Sequence, residues 1–234
     1  MNIIQTLLNF IYPPRCCVCA KLIGMFAESE LCDECKNNLK FVGSEHDFSK
    51  TIRDKFKGDV YFDGGGAVFE YRYVKKSIEN FKYFGERNIG SQYAKLMFEY
   101  FKDSKILAES DCIVSVPLNI KRLKSRGYNQ AEFLAQEFAK LCKKEFIPDA
   151  VLRNRDTKPQ NSLNPEERFE NVKNAFSLGN VNVKGKKVII IDDIFTTGST
   201  INECAAVLKS AGAEKVNFLA FAAAGNIRSG DKNV

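Results

Sequence analysis

Apolar positions along this chain follow two rhythms, and their alternation sets the expected architecture. Runs that are apolar on both faces, "DCIVSVPLN" near residues 112–117 and "VIII" within 187–191, read as buried strands, and 216–222 reads as another. Between them the period lengthens to that of a helix. "VKKSIENFKYFG" places Val74, Ile78 and Phe81 on one face, and "GSQYAKLMFEYFK" does the same with Ala94, Met97 and Phe101. Asn129 is an N-cap for the helix in "NQAEFLAQEFAKLC", Asn164-Pro165-Glu166-Glu167 marks another helix start, and a helix over 200–211 stops at Gly212. "DGGGAVFEYRY" reads as a turn followed by a strand, and its three glycines also fit a hairpin. Strands alternating with helices predict an α/β domain over 59–234, a mostly parallel sheet flanked by helices.

Residues 1–58 keep neither rhythm for long. Ile3, Ile4, Leu7, Leu8 and Ile11 share one helical face before Pro13 and Pro14 end it. Without a basic leading region or a small-residue cleavage site, this stretch reads as a docked helix, and the expected setting is the cytoplasm. No apolar run is long enough to cross a bilayer as a helix. Residues 36–58 carry mixed charge and suit a linker.

Two C-x-x-C pairs, Cys16 with Cys19 and Cys32 with Cys35, lie in this segment. Each pair places two thiolates on one tight turn, and two such turns complete a tetrahedral S4 site for structural zinc, with no open position for a catalytic water. Disulfides would need an oxidising compartment, and redox C-x-x-C motifs normally occur singly. Cys17 is a spare. Cys112, Cys142 and Cys204 fall in apolar periodic stretches as core thiols, and the lone histidine, His46, sits in a polar loop with no partner for a triad.

The formal net charge of +6 favours an anionic partner without naming it. The chemistry lies in "VIIIDDIFTTGSTINECAAVLKSAGA", residues 188–213. Adjacent acids at the end of a buried strand repel each other and lose hydration. The turn that follows opens a helix whose N–H groups and dipole favour a phosphate, with Gly198 allowing close approach and Thr200–Glu203 at capping-box spacing. A ribose reconciles the two, its 5′-phosphate on the turn and its vicinal hydroxyls on Asp192 and Asp193. The alternative is that the acids only cap a loop. A Walker loop lacks the acidic pair, a dinucleotide fingerprint needs more glycines, and a phosphoaspartate hydrolase spaces its acids two apart.

The stretch "VIIIDDIFTTGST" resembles the PRPP-binding signature of type I phosphoribosyltransferases. Together with "VSVPLNIKRLKSRGYNQAEFLAQEFAK", "RNRDTKPQNSLNPEERFENVKNAF" and the paired C-x-x-C motifs, it is identified as a member of the ComF/GntX family of competence-associated proteins. That resemblance implies a type I phosphoribosyltransferase-like sheet behind a zinc-ribbon-like module. It also implies PRPP bound with Mg²⁺ at Asp192, Asp193, Thr196, Thr197, Gly198, Ser199 and Thr200. PRPP carries a pyrophosphate, for which Lys121, Arg122, Lys124 and Arg126 hold the position of the pyrophosphate loop, although such a cluster is also an ordinary solvated face. Arg153, Arg155 and Lys158 fall where these transferases carry a mobile hood. Two functions follow. One is a PRPP-binding protein that handles single-stranded DNA in natural transformation, alongside other competence proteins. The other is a transferase that moves phosphoribosyl from PRPP to an unidentified acceptor and releases pyrophosphate.

Overall fold

The computed structural model describes residues 10, 13–24, 29–39, 59–83, 87–155, 167 and 171–224. The apolar face at Ile3 to Ile11, His46, Lys158 and the helix start at Asn164-Pro165-Glu166 lie outside the described residues. In chain order the described elements are α1 (Asp33–Asn38), β1 (Gly64–Glu70), α2 (Tyr71–Tyr83), α3 (Arg87–Phe101) and α4 (Lys105–Glu109). They continue with β2 (Cys112–Ser115), α5 (Ile120–Arg126), α6 (Gln130–Cys142), β3 (Glu145–Phe146), β4 (Val151–Arg153) and β5 (Phe176–Leu178). The last three are β6 (Lys187–Phe195), α7 (Ser199–Ser210) and β7 (Lys215–Ala223).

Five strands form one sheet in the order β1-β7-β6-β2-β3, with every neighbouring pair parallel, as the alternating pattern predicts. β4 and β5 make a separate antiparallel pair that the sequence did not announce. Strand β6 shows why the sheet is covered twice. Val188 and Ile190 face one buried cluster, with Ile201, Cys204, Ala205 and Leu208 of α7 and with Val151 and Phe176. Ile189 and Ile191 face the other, with Ile78 and Phe81 of α2, Met97 and Phe101 of α3, and Leu134 and Phe138 of α6. Burying each such side chain stabilises the fold by roughly 1.5–3 kcal/mol relative to leaving it in water.

The three glycines belong to β1 itself, which pairs in parallel with β7, so neither a turn nor a hairpin forms there. Their place follows from Phe218. A Cβ added at Gly65 would stand 2.2 Å from the Phe218 ring, which stacks on Phe195 at 4.8 Å and meets Phe62 edge-on at 5.1 Å. Only glycine lets that ring lie against the β1 backbone. Gly65→Ala is therefore expected to destabilise the domain by about 1–3 kcal/mol through forced displacement of the ring. Denaturant unfolding measures this, and an unchanged midpoint would show that the ring yields freely.

The cysteine module packs on α2 and α3. Cys16, Cys17, Leu31 and Leu39 join the buried cluster of those helices. The Ser77 hydroxyl donates to the Cys17 carbonyl and also pairs with the Tyr93 hydroxyl, while Gln92 Nε2 donates to the Arg15 carbonyl at 3.0 Å. Lys95 pairs with Glu30 at 2.7 Å. Among the described residues no helix is long and apolar enough to cross a membrane.

Candidate functional site

The chain leaves β2 and β6, which are neighbours in the sheet, in opposite directions. From β2 it runs through α5 and α6 to β3 on the outer side, and from β6 through α7 to β7 on the inner side. Helix α6 packs on one face and α7 on the other. The carboxyl ends of β2 and β6 therefore flank a switch point, where open parallel sheets form a crevice for ligands.

Strand β6 does not stop at Ile191. It continues through the acidic pair to Phe195, held by pairing of Asp192 with Ala220, Ile194 with Ala222 and Phe195 with Ala223. The alanines of β7 are too small to cover the acids. The two carboxylates stay within reach of each other, so the charge of Asp193 and a contact with its side chain both bear on Asp192. Asp193, 8% exposed, is approached by Lys82 of α2, whose Nζ lies 2.7 Å from Oδ2 as an ion pair outside hydrogen-bond geometry. Asp192, half-buried on the α7 side, accepts the Asp193 N–H on Oδ1 at 2.8 Å. Burial and then the charge of Asp193 push the Asp192 carboxyl well above the usual carboxylate range, while Lys82 pulls it down. Burial, then the charge of Asp192, likewise raise the Cys204 thiol beneath it.

Lys82 was missed by the sequence reading because "FKYFG" is no motif. The available signal was its place four residues after Ile78, on the apolar face of α2, where a cation needs a reason to be.

The turn after β6 brings Thr196, Thr197 and Gly198 to the start of α7. Gly198 is the N-cap with a left-handed φ of 79°, and no side chain caps the helix. The Thr200–Glu203 box does not form, because the helix begins at Ser199 and Glu203 Oε2 instead accepts the Asn174 N–H at 3.0 Å. Thr197 and Ser199 pair through their hydroxyls at 2.8 Å. A helix start without a carboxylate cap leaves its positive end to an external anion.

The basic segment is a helix, not a loop. Asn119 Oδ1 accepts the Lys121 N–H at 2.9 Å to start α5, and Gly127, with φ 78°, donates its N–H to Leu123 O at 2.8 Å to end it. Lys121 and Lys124 are exposed, Arg122 and Arg126 half-buried, and Arg126 Nη1 donates to Gln130 Oε1 at 2.9 Å. Asn129 caps α6 through Ala131 N–H and donates Nδ2 to Val116 O at 3.0 Å, which ties the basic segment to the end of β2.

Arg153 ends β4 with its guanidinium 5.3 Å from the Phe176 ring centre. Exposed Arg155 donates Nη2 to the carbonyls of Asn171 and Lys173 at 3.2 and 3.0 Å, which ties residue 155 to the chain at 171–173.

In the cysteine module the Sγ atoms of Cys16, Cys19, Cys32 and Cys35 all lie within 4.8 Å of one another. Cys19 and Cys32 are 3.6 Å apart, too far for a disulfide of about 2.05 Å and near the ~3.8 Å expected for two sulfurs each ~2.3 Å from one zinc. Burial alone would raise the Cys16 thiol, but backbone N–H groups at Cys19, Cys32 and Val18 outweigh it and bring it to about 7. The spare Cys17 is buried against the domain. Cys112 and Cys204 are core thiols, and the half-buried Cys142 donates to Phe138 O.

A family model described as Phosphoribosyl transferase domain matches residues 88–233, and one described as Double zinc ribbon domain matches residues 7–46. Competence protein F of Haemophilus influenzae is 29% identical over 223 residues, covering 90% of this chain and 97% of that one. Competence protein ComFC of Streptococcus pneumoniae is 29% identical over 199 residues, 81% of this chain and 86% of that one. DNA utilization protein YhgH of Escherichia coli is 42% identical over 106 residues, which span 45% of this chain and 46% of that relative.

Proposed function

The chain belongs to the phosphoribosyl transferase domain family, in the ComF/GntX branch that sets a double zinc ribbon before that domain, and from that premise we propose that the carboxyl end of β6 binds PRPP. The observation that carries this reading is the order of groups along one strand and turn. Two carboxylates suited to a ribose diol are followed, past the end of the strand and two threonines, by a left-handed glycine and a helix start suited to its 5′-phosphate. In this reading Asp192 and Asp193 accept the ribose hydroxyls, and Thr196, Thr197, Gly198, Ser199 and Thr200 hold the phosphate. Helix α5 follows β2 at the same end of the sheet and supplies cations for the pyrophosphate through Lys121, Arg122, Lys124 and Arg126. Mg²⁺ arriving with PRPP offsets pyrophosphate charge. Arg153, Arg155 and Lys158 belong to the segment that closes the site.

The setting we propose is cytoplasmic handling of single-stranded DNA during transformation, in company with other competence proteins. Support comes from the names of the relatives and from the basic helix. Transfer of phosphoribosyl to an acceptor is the second reading, favoured by the transferase domain itself. Calorimetry with PRPP and Mg²⁺, followed by a pyrophosphate-release assay over a panel of bases with and without single-stranded DNA, separates the two. PRPP binding without release over the whole panel favours the first reading, and release with one base establishes the second. If residues 121–126 and 153–158 touch about three phosphates, log affinity for single-stranded DNA falls with log salt at a slope of roughly −2. Charge reversal at Arg122 and Arg126 should flatten it. No binding at about 50 mM salt would remove DNA as a direct ligand.

A further inference from the structure

We infer that Lys82 is the positioning residue of the acidic pair, an ammonium that fixes Asp193 and offsets its charge so that both carboxylates face a vicinal diol together. The inference rests on the PRPP reading and adds a residue to it from outside every motif in the sequence.

Four observations carry it. Lys82 occupies the last turn of α2 and reaches Asp193 Oδ2 at 2.7 Å, both side chains largely shielded, at 19% and 11% exposure. The backbone at Lys82 is clamped. Phe81 is fully buried, meets Tyr93 at 5.4 Å and Tyr128 at 5.9 Å, and its carbonyl accepts the Tyr128 hydroxyl. Gly90 of α3 sits so close that a Cβ there would be 2.7 Å from both Phe81 and Phe133. Lastly, the Asp193 N–H donates to Asp192 Oδ1 and the Lys82 ammonium pairs with Asp193 Oδ2, so each carboxylate is oriented by a partner of its own.

Fold stability is a poor reason for this arrangement, because a shielded ion pair seldom outperforms apolar side chains of similar volume. Its use is electrostatic. A strongly anionic ligand must enter beside two acids, and one fixed cation lowers that repulsion without occupying the diol positions. Among the described residues, the Cys204 thiol of α7 lies within reach of Asp192, with Arg153 of β4 and Glu203 of α7 acting on that thiol in turn. Lys82 pairs with Asp193 and its charge also acts on Asp192.

The test compares wild type, K82R, K82M and K82Q in the full chain, with PRPP and Mg²⁺ titrated calorimetrically on both sides of the Asp192 titration midpoint as located by carboxyl-carbon NMR. In K82M and K82Q, affinity should fall about tenfold above that midpoint, and the deficit should shrink below it as Asp192 takes up a proton. K82R should stay within about threefold of wild type, since it keeps the charge. A role in folding alone lowers the melting temperature but leaves the affinity ratio independent of pH, and that outcome overturns the inference, as does failure of K82R to rescue. Carboxyl-carbon NMR of Asp192 gives a readout that needs no ligand. Its titration midpoint should rise in K82M and K82Q, and an unchanged midpoint also overturns the inference. Should wild type bind no PRPP, the proposed function fails, while the carboxyl titration still decides the role of Lys82.

Discussion

Replacing Cys32 by serine is expected to abolish zinc retention and unfold the N-terminal module, leaving the parallel sheet standing. Four thiolates on two turns have little apolar core of their own, since α1 has no buried residue. Metal binding is then the larger part of the module's folding free energy, which for structural zinc sites is on the order of 10–16 kcal/mol. One lost ligand forfeits most of that. The sheet does not depend on it, because both of its clusters are built mainly from residues after 60. The loss does reach α2 and α3, where Cys17, Leu31 and Leu39 leave the cluster and the Ser77–Tyr93 hydroxyl pair loses its carbonyl acceptor. Metal analysis should give about one zinc per wild-type chain and none in Cys32→Ser. Thermal melts should show the sheet unfolding at a modestly lower temperature. A wild-type sample that is folded and metal-free would refute the zinc assignment.

The paired C-x-x-C motifs were legible because metal-ligand spacing is local, and so were β2, β6 and β7, because a parallel strand buried on both faces is apolar throughout, whereas the two-residue edge strand β3 carries no such run. What the pattern concealed was set by contacts distant in sequence. The glycines at 64–66 looked like a turn because the reason for them, the ring of Phe218, lies in another strand. The basic stretch looked like a loop because its charges drew notice away from Asn119 and Gly127, which are ordinary helix start and stop signals. The Thr200–Glu203 spacing was right for a capping box, yet Glu203 was claimed by Asn174 across the domain. Strand β6 outran its apolar residues because pairing with β7 carries it through the acids. Lys82 carried no motif, since its partner is more than a hundred residues away.

The different partners of the two acids give them different expected behaviour. Asp192→Asn should weaken PRPP binding and stabilise the protein. A ribose hydroxyl donating to a carboxylate makes a charge-assisted bond whose loss costs on the order of 1.5–3 kcal/mol, or roughly 10- to 100-fold in affinity. Asparagine keeps an oxygen for the Asp193 N–H but removes a charge that burial and Asp193 disfavour. With its folded value raised, Asp192 binds a proton more readily in the native state than in the unfolded chain. Its penalty is therefore absent below the ordinary carboxylate range and grows as pH rises to the folded value, so the stability gain of Asp192→Asn should be largest in alkali and vanish in acid. Asp193→Asn should weaken PRPP similarly but lower stability, by on the order of 3 kcal/mol, because it strands Lys82 in a largely shielded site. If the acids only capped the loop, both variants would lose stability and neither would change the affinity. Thr197→Val should also reduce affinity, and Thr197→Asp more so, since a carboxylate on that turn repels the 5′-phosphate. Calorimetry with PRPP and Mg²⁺ beside melts across pH reads both quantities on the same samples. Unchanged affinity in a folded Asp192→Asn/Asp193→Asn double variant would remove the diol from this site.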